Sequence, residues 1–185
     1  MSTILKLRGA RALSEFRIAK LQSALGAGIR SISAEFWHFV EIERPLDAAE
    51  ARVLERLLEY GAGPHAELAS RSRFLVVPRI GTISPWSSKA SDIARICGLT
   101  VVRRIERGTM YALDAELGPE ERMRVAALLH DRMTESVLAR PEEADALFRR
   151  FEPRPLARVP LAALEEANRT LGPVRPRRSA WCCPS

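Results

Sequence analysis

The 185-residue chain predicts an α/β protein of the α+β sandwich type, with helices packed on a mixed, largely antiparallel sheet. Three observations carry that expectation. Apolar residues alternate with period two along Ser31–Ile42, the mark of a strand with two unlike faces. They recur three and four apart over Ile18, Leu21 and Leu25, and again over Leu54, Leu57 and Leu58, the mark of amphipathic helices. The two kinds of segment follow one another along the chain, which is how a layered sandwich is written.

Each element has its own signal. Ile4–Arg8 alternates Leu5 and Leu7 with Lys6 and Arg8, a short strand. Ser14 reads as an N-cap, with Leu13 and Ile18 as a hydrophobic staple, and Gly26 and Gly28 end the helix. On the Ser31–Ile42 strand, Ile32, Ala34, Phe36, His38, Val40 and Ile42 share one face. Asp47 with Glu50 is a capping box opening the second helix, closed by Gly61. Phe74–Val77 is a short apolar run suited to a strand buried on both faces. Ser88–Cys97 reads as a third helix, capped by Ser87 or Ser88, with Ala90, Ile93, Ala94 and Cys97 inward and Gly98 as its stop. Val101–Glu106 and Thr109–Asp114 read as two strands joined at Arg107–Gly108. Gly118–Pro119–Glu120–Glu121 opens a fourth helix, with proline in its first turn and acids at the positive end of the dipole. Thr134–Ala139 is the last strand.

In order, these elements make a strand–helix–strand–helix half and a second half that repeats it loosely, two ferredoxin-like halves of a domain over 1–140. Residues 141–172 form a proline-broken linker with helical pieces at Asp145–Phe151 and Leu161–Leu171. Residues 173–185 have no periodicity and are expected to be a disordered tail.

Composition narrows the function classes. No apolar run reaches the roughly 20 residues that span a bilayer, and Met1–Arg11 lacks the apolar stretch of a secretory leader. The expectation is therefore a cytoplasmic protein with no membrane partner. The net charge of +6 owes three charges to Arg175, Arg177 and Arg178, and elsewhere Arg is interspersed with Asp and Glu, a solvated surface without a continuous positive field. With 6% aromatic residues and no aromatic motif at a sheet centre, a basic RNA-binding domain ranks last, and no nucleic-acid partner is expected. Cys97, Cys182 and Cys183 have no metal spacing, and His38, His65 and His130 are dispersed, so neither a metal site nor a catalytic residue is expected. His38 and Cys97 read as core residues, and His130–Asp131 as a structural turn or an interdomain contact.

The most informative stretch is Val77–Ala94. A buried strand ends at Pro78, and a loop stiffened by Pro85 delivers Trp86, two serines and Lys89 to a helix start. Free backbone N–H groups, hydroxyls and an ammonium suit an anion or carboxylate; capping by a serine and packing of Trp86 is the plainer reading. A phosphate-cradling loop is excluded, because its paired glycines are missing. Thr82, Ser84, Trp86, Ser87, Ser88, Lys89 and Asp92 are the candidate functional residues.

PRIGTISPWSSKASDIARICGL resembles the N-terminal domain of the large, single-chain phosphoribosylformylglycinamidine synthase family, also called formylglycinamide ribonucleotide amidotransferase. ALSEFRIAKL, ISAEFWHFVEI, LERLLEYG, RIERG, LHDRMTESV and LEEANRTLG fall in the family's order, from Leu5 to about Gly172. The resemblance implies an ATP-dependent carbon–nitrogen ligase of purine biosynthesis that takes ammonia from glutamine. ATP and magnesium are implied for the whole enzyme, with no cofactor in this chain. It further implies a domain like a fused pair of the small subunits of the multi-subunit enzyme. Such a domain bridges the synthetase and glutaminase domains, in cis or in trans, and helps shape the ammonia passage. The candidate residues are then docking and passage-lining residues. Beyond Gly172 the family pattern stops, and the Arg-, Pro-, Trp- and Cys-rich ending reads as a shifted frame of a GC-rich gene, in keeping with 26 Arg against 3 Lys. On that reading the chain is a fragment, inactive alone; a stand-alone docking subunit is the alternative.

Overall fold

A computed structural model describes residues 3–26, 28–61, 70–149 and 158–171. His65, Cys182, Cys183, Phe151 and the expected tail lie outside the described residues. The chain divides into two units, Met1–Arg150 and Phe151–Ser185.

The first unit runs β1 (Thr3–Arg11), α1 (Glu15–Leu25), β2 (Ile32–Ile42), α2 (Ala48–Leu58), β3 (Ser72–Pro78), α3 (Pro85–Ile96), β4 (Val102–Leu113), α4 (Pro119–Leu129) and β5 (Glu135–Leu138). The strands form one sheet in the order β1-β2-β4-β3-β5, and every pairing is antiparallel. The α+β sandwich is thus as expected. The duplication is legible in the topology: β1–β2 and β3–β4 are antiparallel neighbours, and the longer strand of each pair, β2 and β4, meet at the sheet centre. Strand β5 extends the second half alone.

The helices share one face of the sheet. Leu54 of α2 and Ala94 of α3 pack with Val40, Ile42 and Ile105, while α1 and α4 pack with Ile32, Phe74, Val76 and Leu113. Both clusters use even-numbered residues of β2, which a strand places on one side. Between them lies the middle of the β2–β4 pair, where Phe36 faces Thr109 and His38 faces Arg107. On the other face, the 3-10 turn Pro141–Phe148, expected in the linker, packs Ala144 and Leu147 against Phe39, Leu75, Val77 and Met110. The second unit shows a short 3-10 turn, Leu161–Ala163, and α5 (Leu164–Leu171).

Two expectations are corrected. Val101–Glu106 and Thr109–Asp114 are not a hairpin, because β4 runs unbroken through Arg107–Gly108. Gly108 serves close approach instead of a turn: a Cβ there would stand 2.9 Å from the Val76 carbonyl oxygen and 2.9 Å from Val77 Cγ1. The third helix begins at Pro85, earlier than Ser88, and its cap is Ser84, not Ser87 or Ser88. Proline at the first helical position has its φ preset and no N–H to lose, so the helix starts there. The inward side of the helix carries Ser87, Ser91 and Ala94, with Ala90 packed beside them as expected, whereas Ile93 and Cys97 are exposed rather than in the core.

Candidate functional site

The loop between β3 and α3 is tied down by side chains from β4. Arg104 and Glu106, two apart on a strand, point to the same side and pair with each other. Arg104 donates to the carbonyl oxygens of Thr82 (2.8 Å) and Leu147 (3.1 Å) and lies over the Phe148 ring. Glu106, fully buried, accepts from Ser84 Oγ at 2.8 Å and from the Ser84 N–H at 3.3 Å. Ser84 Oγ in turn accepts from the Ser87 N–H at 3.0 Å and so caps α3. A buried carboxylate is tolerable only when its lone pairs are occupied, and here one cation, one hydroxyl and one backbone N–H occupy them.

The candidate residues scatter from that anchor. Thr82 closes its own turn, its hydroxyl donating to the Arg79 carbonyl at 2.6 Å. Ser84 and Ser87 turn inward, and Ser87 Oγ is buried without a hydrogen-bond partner. Ser88 and Lys89 are exposed, and Asp92 pairs on the surface with Arg95 at 3.0 Å. Ser84, Trp86 and Ser87 are brought together; Lys89 and Asp92 stand apart from them. Ser91, which the sequence did not single out, accepts from the Ile105 N–H at 3.0 Å and ties α3 to β4.

Trp86 belongs to a second group at the sheet centre. The Arg107 guanidinium lies 4.3 Å from the Phe36 ring centroid and 4.7 Å from that of Trp86, cation–π distances on both. Its Nη1 donates to Tyr60 Oη at 3.3 Å, and Tyr60 Oη lies 2.6 Å from His38 Nε2. Burial, aided by the positive charge of Arg107, pushes the His38 pKa down to about 4, so the ring is neutral at pH 7. Burial raises the Tyr60 pKa against the opposing pull of Arg107. Gly9 makes room for the histidine, since a Cβ there would stand 2.6 Å from His38 Cε1. His38 is thus a buried residue, as expected.

Residues 35–148 match the family model described as Formylglycinamide ribonucleotide amidotransferase N-terminal. The chain belongs to that family. The resemblance read from TISPWSSKASDIA and RIERG is therefore confirmed, and the amidotransferase of purine biosynthesis is the enzyme to which the domain relates. Every letter of RIERG now has a physical task in this amidotransferase domain: Arg104 clamps the loop, Ile105 fills the core, Glu106 holds Ser84, Arg107 sits between aromatic rings, and Gly108 admits β3. Sequence reasoning missed these charged residues as a site. The available signal was a charged triplet inside a segment that had to lie in the sheet.

The HDRM stretch of the amidotransferase domain is a turn. Asp131 Oδ1 accepts from the Met133 N–H at 2.8 Å, and its carbonyl accepts from the N–H groups of Thr134 and Glu135. Among the described residues no helix is long and apolar enough to cross a membrane.

Proposed function

We propose that this domain works in the formylglycinamide ribonucleotide amidotransferase reaction as a docking element. It bridges the synthetase and glutaminase domains and helps shape the passage for ammonia, with no bond-making residue of its own. The observation that carries this reading is a set of outward isoleucines on α3 and the loop before it. The helix buries Ser87 and Ser91 and presents Ile93 (49% exposed) and Ile96 (84%) outward, with Ile83 of the preceding loop at 63%. Apolar side chains held outward on an anchored scaffold are what a protein partner covers. The inward hydroxyls of Ser84 and Ser91 are spent on Glu106 and on the Ile105 N–H, which supports positioning over chemistry. ATP and magnesium, which the family reaction uses, belong on this reading to the synthetase domain. Among the described residues no three His, Cys, Asp or Glu side chains cluster to hold a metal ion.

The test is Ile93→Asp together with Ile96→Asp. Both side chains are exposed, so thermal unfolding of the chain is expected to stay within a few degrees of wild type. In sedimentation velocity with separately produced synthetase and glutaminase portions, the variant is expected to lose association. In a complete enzyme it is expected to lower glutamine-supported turnover far more than turnover supported by added ammonia. Association and coupling both unchanged would remove the proposal.

A further inference from the structure

A cleft of about 270 Å³ opens at the centre of the helix-bearing face, with Phe36, Trp86, Arg107, Thr109, Thr134 and Glu135 among its walls. Its chemistry is set by Arg107. The guanidinium lies over the rings of Phe36 and Trp86, which leaves its N–H groups, and not its π faces, as the polar means of binding. Among the described residues, one of its five donors has a partner, Tyr60 Oη. Among the described residues no carboxylate lies within 4.0 Å of Arg107, although Glu135 lines the same cleft. The hydrogen-bonded neighbours, Tyr60 and through it His38, are held neutral by burial, so neither offsets the positive charge of Arg107.

A half-buried fork held against two aromatic rings, with no described carboxylate in contact with it, suits a bidentate oxyanion. The volume is below the roughly 300–1,000 Å³ of ordinary ligand pockets and admits a group of a few heavy atoms. Glu135, whose Oε2 accepts from the Asp131 N–H at 2.8 Å, places a negative charge on the wall and opposes a dianion more than a monoanion. We propose that this cleft is a carboxylate-binding site, with Arg107 as the bidentate donor. The site rests on the cleft alone and stands whether or not α3 docks a neighbouring domain.

The experiment follows the Arg107 Nε–H and Trp86 indole resonances of the ¹⁵N-labelled 185-residue chain at constant ionic strength. Sodium acetate, N-acetylglutamate α-amide and sodium phosphate are added in separate titrations, with sodium chloride as the blank. Saturable shifts are expected with both carboxylates, and weaker binding with phosphate. Tighter binding of the glutamate derivative than of acetate assigns the carboxylate to a side chain of an apposed protein segment; equal or weaker binding assigns it to a free small acid. Arg107→Lys keeps the charge and loses the fork, and is expected to weaken acetate binding about tenfold, the worth of one charge-assisted hydrogen bond. Glu135→Gln keeps an acceptor for the Asp131 N–H and is expected to bring phosphate binding up to the level of acetate, a second handle should Arg107→Lys not fold. Absence of a saturable shift with either carboxylate, phosphate binding tighter than acetate in the wild type, or a folded Arg107→Lys that binds as the wild type does would overturn the proposal.

Discussion

Helices α1 and α3 begin alike and end up in different surroundings. Each follows the first strand of its half, and each is capped by a serine in extended conformation whose hydroxyl accepts from the N–H three residues on. There the likeness stops. The α1 helix buries none of its residues completely, and its Phe16 is 79% exposed. The α3 helix buries Ser87, Ser91 and Ala94, and its cap is wired to a buried carboxylate. One local device thus serves in one half as a helix start and in the other as the end of a network running through β4. The difference lies in β4, which brings Arg104, Glu106 and Arg107 to the second half.

The largest way to break the comparison is to remove Glu106. Glu106→Ala leaves Arg104, whose side chain is mostly buried, without its counter-charge and frees the loop from its anchor. The expected cost is about 3–5 kcal/mol, the range for stripping one partner from a buried ion pair. Urea unfolding of the purified chain measures it. Glu106→Gln retains acceptor capacity and should cost clearly less. A loss below about 1 kcal/mol for the alanine variant, the scale of an exposed pair, would show that α3 is no better anchored than α1.

Next in size is a pH effect confined to the α3 side of the sheet. His38, whose ring centroid lies 5.9 Å from that of Trp86, has its pKa lowered from 6.5 to about 4, first by burial and then by Arg107. The unfolded chain therefore binds a proton more readily than the folded chain between those values. Stability is present in full above about pH 6.5 and declines as the pH falls towards 4, by up to about 3 kcal/mol for a shift of this size. His38→Gln is expected to flatten the part of the unfolding free energy that falls between pH 6.5 and 4. An equal slope in the variant would move the origin of the acid sensitivity elsewhere.

The comparison also marks how far the sequence can be read. Period, caps and stops were enough for β1, α1, β2, α2, α4 and β5, because each of these obeys local rules: Ser14 and Asp47 cap where their spacing says, and β2 alternates its faces. The α3 segment resists the same reading. Apolar periodicity places Ala90 and Ala94 on the inward face correctly but puts Ile93 and Cys97 there as well, and the burial of Ser91 makes sense only with the Ile105 N–H in view. The Arg107–Gly108 pair failed for a related reason. A glycine beside a charged residue reads as a turn until β3 is found pressed against it, 2.9 Å from where a side chain would begin. The resemblance to the family located the segment, but the roles of Glu106 and Arg107 came only with the pairing of strands distant in sequence.

The smallest effect is the most direct measure of the contrast, because it changes the same residue type at the same helical position. Ser14 Oγ accepts from the Arg17 N–H at 3.4 Å on an exposed surface, where water can take its place. Ser14→Ala is therefore expected to cost about 0.5 kcal/mol, the low end for caps. Ser84 Oγ accepts at 3.0 Å and also donates to Glu106 at 2.8 Å. Its removal takes away a cap and leaves a buried carboxylate short of one donor, so Ser84→Ala is expected to cost about 2 kcal/mol. The excess should vanish when both alanine variants are compared in a Glu106→Ala background, since the donor then has nothing to lose. Equal costs in the wild-type background would place the two serines on the same footing and leave only packing to distinguish the two helices.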